Sequence, residues 1–110
     1  MRSARIALAL HSQDNVATAL VDIEAGTLVR MKLSNQAVEL IVNQAIPFGH
    51  KFAIKNIEKG QLVYKYGEVI GKAIKPIKVG QHAHTHNLES IRGKAGHQQY
   101  GGRKLEFPRL

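Results

Sequence analysis

The chain has 110 residues, 44% of them hydrophobic but only 5% aromatic, and a formal net charge of +8. That is enough for one domain with a real core, and an aliphatic one. Cysteine is absent, so disulfides and thiolate chemistry are excluded. Eleven Lys/Arg face six acids in residues 1–88 and five face two in residues 89–110, so the positive excess is spread without forming a basic block.

Such an excess suits solubility, an anionic substrate or an acidic partner as well as nucleic acid. Six aromatics, none interleaved with basic residues as a stacking platform, make nucleic acid an unexpected partner. The opening run MRSARIALALHSQ is basic and then briefly apolar, too short to span a bilayer. Its Ile6, Leu8 and Leu10 alternate with small residues, the period of a strand and not of a leader. No other stretch approaches membrane length, and a cytoplasmic protein is expected.

His11 to Asn15 break the alternation. Ser12 or Asp14 as a cap, with Val16 and Leu20 four apart, predicts a short helix over Asp14 to Val21. Thr27 to Leu33 is predicted as a strand with Leu28, Arg30 and Lys32 on one face and Val29, Met31 and Leu33 on the other. After the polar break Ser34-Asn35-Gln36, Ala37 to Val42 reads as a buried strand. Pro47 lacks a ladder donor, so the next strand begins after it. It covers Lys51 to Lys55, and Gln61 to Tyr66 follows. Lys72 to Ile74 continues towards Pro76, and Gln81 to His86 forms the last strand. Residues 89–110 hold glycines and no sustained period, and read as a flexible tail or linker, poorly ordered until it meets a catalytic partner.

One pattern organises the chain: an aliphatic residue, two spacers, then Gly. It occurs as Ile23 to Gly26, Ile46 to Gly49, Ile57 to Gly60 and Ile77 to Gly80. Gly reaches positive φ without steric cost, so each is a turn apex. Gly67 and Gly71, bracketing Val69 and Ile70, are read as structural turns too. Short strands joined by such turns predict a mainly β single domain over residues 1–88 with one short helix.

Two groups of residues invite chemistry. His82, His84 and His86 alternate in HAHTHN, which on a strand lines three imidazoles along one face at steps of about 7 Å. Neutral imidazole suits zinc, iron and nickel, and the bland alternative is a polar edge strand. Lys51 and Lys65 occupy matching places in the two central repeats, beside His50 and Tyr66. Such lysines can hold the carboxylate of a sugar acid, and the bland alternative is ordinary solvated lysine. KYGEVIG lacks the spacing of a phosphate loop. Asp14 is read as a helix cap. No serine has a base arranged around it, so catalysis by this chain alone is not expected.

The run DNVATAL, the turn DIEAG, the core IPFGHKFAI, the string KYGEVIG and the closing HAHTHN together resemble a SAF domain. More narrowly, they resemble the small N-terminal domain of altronate and galactarate dehydratases, over Arg5 to Asn87, and the small subunit of sulfolactate sulfo-lyase. The resemblance implies a β-clip fold and an accessory part of a hydro-lyase or sulfo-lyase in carbohydrate metabolism, covering the active site of a larger catalytic subunit or domain and inactive alone. It also implies an anionic sugar-acid substrate and a divalent metal, iron above all, held mainly by the partner. The alternative is a stand-alone SAF-type binding module without catalytic activity.

Overall fold

The computed structural model describes residues 5–91. They form nine strands: β1 (Ala7–Leu8), β2 (Val16–Ala19), β3 (Leu28–Leu33), β4 (Gln36–Ile41), β5 (Lys51–Ala53), β6 (Leu62–Lys65), β7 (Glu68–Ala73), β8 (His82–Ala83) and β9 (Leu88–Ser90). A central sheet runs β1-β2-β5-β8, the β3–β4 hairpin stands as its own two-stranded sheet, and β6-β7-β9 make the third. The mainly β expectation is met.

The four glycine turns are the joints. In each, the N–H of the residue after Gly donates to the carbonyl of the residue two before it, as in His50 to Pro47 at 2.9 Å and Gln81 to Lys78 at 2.9 Å. Gly26, Gly49, Gly60 and Gly80 have φ between 83° and 92°. A positive φ at the third turn position alone is the type II pattern, which selects glycine there. The isoleucines opening the turns pair off: Ile23 with Ile46 and Ile57 with Ile77, as isolated antiparallel bridges. All four are buried. Asp22 Oδ1 accepts from Phe48 N–H and Asn56 Oδ1 from Val79 N–H, the same device in each half.

The chain is therefore a tandem repeat. Ala19-Leu-Val-Asp-Ile-Glu-Ala-Gly-Thr-Leu-Val29 returns as Ala53-Ile-Lys-Asn-Ile-Glu-Lys-Gly-Gln-Leu-Val63, and each copy leads into a hairpin and a second turn. The hairpins close with two-residue loops. Tyr66 (φ 54°) and Gly67 (φ 81°) give a type I′ pattern, while of Ser34-Asn35 only Ser34 (φ 57°) is positive, the II′ pattern.

Two apolar clusters fill the interior. One gathers Ala7, Ala17, Ala19, Ile23, Ile46 and Phe52; the other gathers Val16, Ala53, Ile57, Ile77, Ala83 and Leu88. Residues of one strand alternate between faces, so β2 and β5 send side chains to both clusters and the central sheet is buried on either side.

Four expectations need correcting. Asp14 to Val21 is not a helix: Val16–Ala19 is a strand paired with both β1 and β5. A four-residue spacing of apolar residues fits either structure, and central burial with β-branched Val16 and Thr18 favoured the strand. Ala37 to Val42 is not a buried strand, since β4 is largely exposed apart from Leu40. Gly71 is no turn apex; it lies inside β7, where a Cβ would meet the Glu89 carbonyl oxygen at 2.5 Å. The closing strand stops at Ala83, not His86, and β9 carries the paired structure past residue 88. The rest of the expected tail, from residue 92, lies outside the described residues. No helix among those described is long and apolar enough to cross a membrane.

Candidate functional site

The site forms where the second glycine turn delivers the chain into β5 beside β8. Phe52 pairs with His82 across the ladder, so their side chains share a face. His50, two residues before Phe52, and His84, two after His82, follow on that side. The three rings stack: His50 and His84 with centroids 4.4 Å apart, His50 and His82 at 5.1 Å, His82 and His84 at 5.3 Å and 9° from parallel. His50 Nδ1 lies 2.9 Å from His82 Nε2, one nitrogen donating and the other accepting. One ligand nitrogen from each ring lies within 4.8 Å of the others.

This is not the row of three read from HAHTHN. His86 is exposed, tilted 40° from His82 at 5.6 Å, and outside the converging set. Asn87 is the reason. Its buried side chain accepts from His84 N–H at 2.9 Å and donates to the His82 carbonyl at 2.9 Å, folding 84–87 into a turn. The third imidazole comes from His50, which sequence reasoning had grouped with the lysines.

Lys51 is only 5% exposed and lines a cleft of about 220 Å³ with His50, His84, Thr85 and Ser90. Burial, and secondarily the charge of Lys65, holds its ammonium below the usual lysine range. Burial lowers Lys65 as well. Burial first, then the charges of His50, His84, His86 and Lys51, pushes His82 down to about 4. His84 is lowered by burial and then by His50, Lys51 and His86. The charges that shift these groups among the described residues are basic, so at neutral pH His82 is an uncharged donor and acceptor beside an under-solvated lysine. An anion or a metal ion is what such a set accepts.

Lys65 and Tyr66 do not line that cleft. Lys65 Nζ lies 5.2 Å over the Tyr66 ring, a cation–π contact at the tip of the β6–β7 hairpin, and reaches the site only through its effect on Lys51. Gly26, Gly49, Gly60, Gly67 and Gly80 are the positive-φ turns expected. Gly49 also brings the backbone to the cleft wall.

Sequence reasoning missed the role of Asp14. Fully buried, its carboxylate accepts from Leu10 N–H and His11 N–H, both at 3.0 Å, and from Gly67 N–H at 2.7 Å. Asn15 continues the stitch, accepting from Tyr64 N–H at 2.8 Å and donating to the Leu62 carbonyl at 3.0 Å. Together they tie the first loop to the second hairpin. Gly67, Tyr64 and Leu62 lie 53, 49 and 47 positions away, and no local pattern announces them.

A family model for the altronate/galactarate dehydratase SAF domain matches residues 5–91, all of the described region. The chain belongs to that family. Altronate dehydratase of Escherichia coli (strain K12) is 46% identical over 81 residues, covering 74% of this chain and 16% of that enzyme. Altronate dehydratase of Bacillus subtilis (strain 168) is 38% identical over 81 residues, again 16% of its length. The (2R)-sulfolactate sulfo-lyase subunit alpha of Chromohalobacter salexigens is 33% identical over 84 residues, 74% of this chain and 89% of that subunit. The chain thus spans a small part of the dehydratases it matches and nearly the whole of the sulfo-lyase subunit.

Proposed function

We propose that this SAF-domain chain is the accessory subunit or N-terminal domain of a cytoplasmic lyase acting on hydroxylated acids such as altronate or galactarate, or of a related sulfo-lyase. It covers the active site of a larger catalytic chain and is inactive alone. The observation that supports this reading is the convergence of His50, His82 and His84 beside buried Lys51, with basic charges shifting His82 and Lys51. The site has the polarity of a carboxylate receptor and too few groups for a complete catalytic centre.

In the reaction the proton α to the carboxylate is removed and a β-leaving group departs, water from a sugar acid or sulfite from a sulfonate. The enol that remains becomes the 2-keto acid. Lys51 holds the carboxylate as a point charge. His50 and His84, on the cleft wall, and uncharged His82 behind them orient the substrate's hydroxyls by hydrogen bonds. Lys65, held over the Tyr66 ring, stands outside the contact and keeps the local potential positive. A divalent metal, iron by family resemblance, would be held by His50, His82 and His84, whose ligand nitrogens lie within 4.8 Å of one another, together with groups of the large chain. Bound there, such an ion supplies Lewis-acid stabilisation of the enolate-like charge.

The test is reconstitution with the large lyase chain of the same genome, assayed on altronate, galactarate and sulfolactate for 2-keto acid and sulfite. Activity is expected only when both chains are present. A large chain fully active alone, or a complex inert on every acid, overturns the reading in favour of a stand-alone binding module.

A further inference from the structure

A second surface, away from the imidazoles, has a character of its own. Between β1 and the β3–β4 hairpin lies a groove of about 600 Å³. Arg5, Arg30 and Lys32 stand on its walls, and Leu8, Leu10 and Met31 offer apolar surface inside it. Leu10 is 57% exposed. None of the described residues lining the groove is acidic, but Arg30 Nε donates to Glu39 Oε2 at 2.8 Å. No described strand pairs with the outer edge of β1.

We propose that this groove seats an acidic, partly apolar segment of a different protein chain, and that in the lyase inferred above the large chain supplies it. The identity of the supplier rests on that reading; the chemistry of the occupant does not. Charge decides between occupants. Residues 92–110 carry five Lys/Arg against one acid and residues 1–4 carry one Arg and no acid, the sign of the groove itself. A second copy, at +8, is repelled in the same way. An acidic segment is steered in by Arg5 and Lys32, Arg30 being paired with Glu39, and its apolar residues displace water from Leu8, Leu10 and Met31.

The probe is a fluorescein-labelled decapeptide alternating Glu and Leu, with Lys/Leu and Glu/Ser counterparts, titrated with the full chain by anisotropy at two salt concentrations. The Glu/Leu peptide is expected to bind best, more weakly at high salt, and the Lys/Leu peptide not at all. Arg5→Glu with Lys32→Glu is expected to weaken binding at least tenfold. Lys59→Glu with Lys75→Glu, an equal change of net charge at exposed sites off the groove, should stay within threefold. If the first pair loses its β spectrum, Ser34→Glu with Ala37→Glu makes the same test on the hairpin wall. No binding of the Glu/Leu peptide, or equal losses in groove and off-groove variants, overturns the proposal. With the large chain, a complex unaffected by Arg5→Glu and Lys32→Glu removes the groove as its contact and leaves the accessory reading standing. Failure to form any complex strikes the accessory reading alone and leaves the peptide result in place.

Discussion

The two repeats share their turns but not their duties. Both place an isoleucine bridge and a positive-φ glycine at each joint, and both cross-brace the joint with Asp22 or Asn56. The first leads into a hairpin that pairs with no other described strand, whose Leu28 and Ile41 face outward as cross-strand partners. In the second, Gly71 admits the backbone of β9, where Leu40 stands in the first. The residue leaving the second turn of each copy also differs: His50 in one, Gln81 in the other. Repetition supplies the frame, and the departures from it bring His50 to His82 and His84.

The largest effect is expected at that departure. In the reconstituted lyase, His50→Ala, or His82→Ala with His84→Ala, should cut activity by roughly a hundredfold or more while the fold stays intact, the range of a lost acid–base or metal-orienting group. Gln81→Ala and His86→Ala should retain most of it. Full activity in the His82/His84 double variant would remove these imidazoles from function. Zinc titration of the isolated chain sharpens the point: binding is expected to be weak and to vanish with His50→Ala but not with His86→Ala.

Stability separates the two turns of the second repeat next. Gly80→Ala combines the positive-φ strain with a backbone collision at the Ile41 carbonyl oxygen, whereas at Gly60 a Cβ meets open space. Melting should show a loss of about 1–3 kcal/mol for Gly60→Ala, and for Gly80→Ala about 1–3 kcal/mol more from overpacking. Equal losses would mean that the two joints are not packed differently. Asp14→Ala, which orphans three backbone N–H groups, should cost about 3 kcal/mol.

A smaller effect follows pH. The unfolded His82 takes up its proton near 6.5, the folded one only near 4. Protonation therefore favours the unfolded chain, and this contribution, complete above 6.5, is lost as pH falls towards 4. Denaturant melts of wild type and His82→Gln should show the wild type losing more stability across that window; parallel curves would deny the shift. The smallest change is expected on the exposed hairpin, where Leu28→Thr should move stability by no more than about half a kcal/mol.

What the sequence determined by itself was the frame. Glycine at the third position of a type II turn is a local demand, so Gly26, Gly49, Gly60 and Gly80 were legible, and with them the mainly β class and most strands. His82 and His84 were legible by alternation, which is also local. Tertiary structure decided the rest. Val16 to Ala19 became a strand because β1 and β5 were there to pair with it, and Asp14 became a buried brace because Gly67 arrived from the far hairpin. His50 joined the imidazoles, and His86 left them, because β5 lies against β8 and Asn87 turns the chain. Such contacts join residues separated by tens of positions. Their energy depends on which groups are desolvated together, and no spacing along the chain records that.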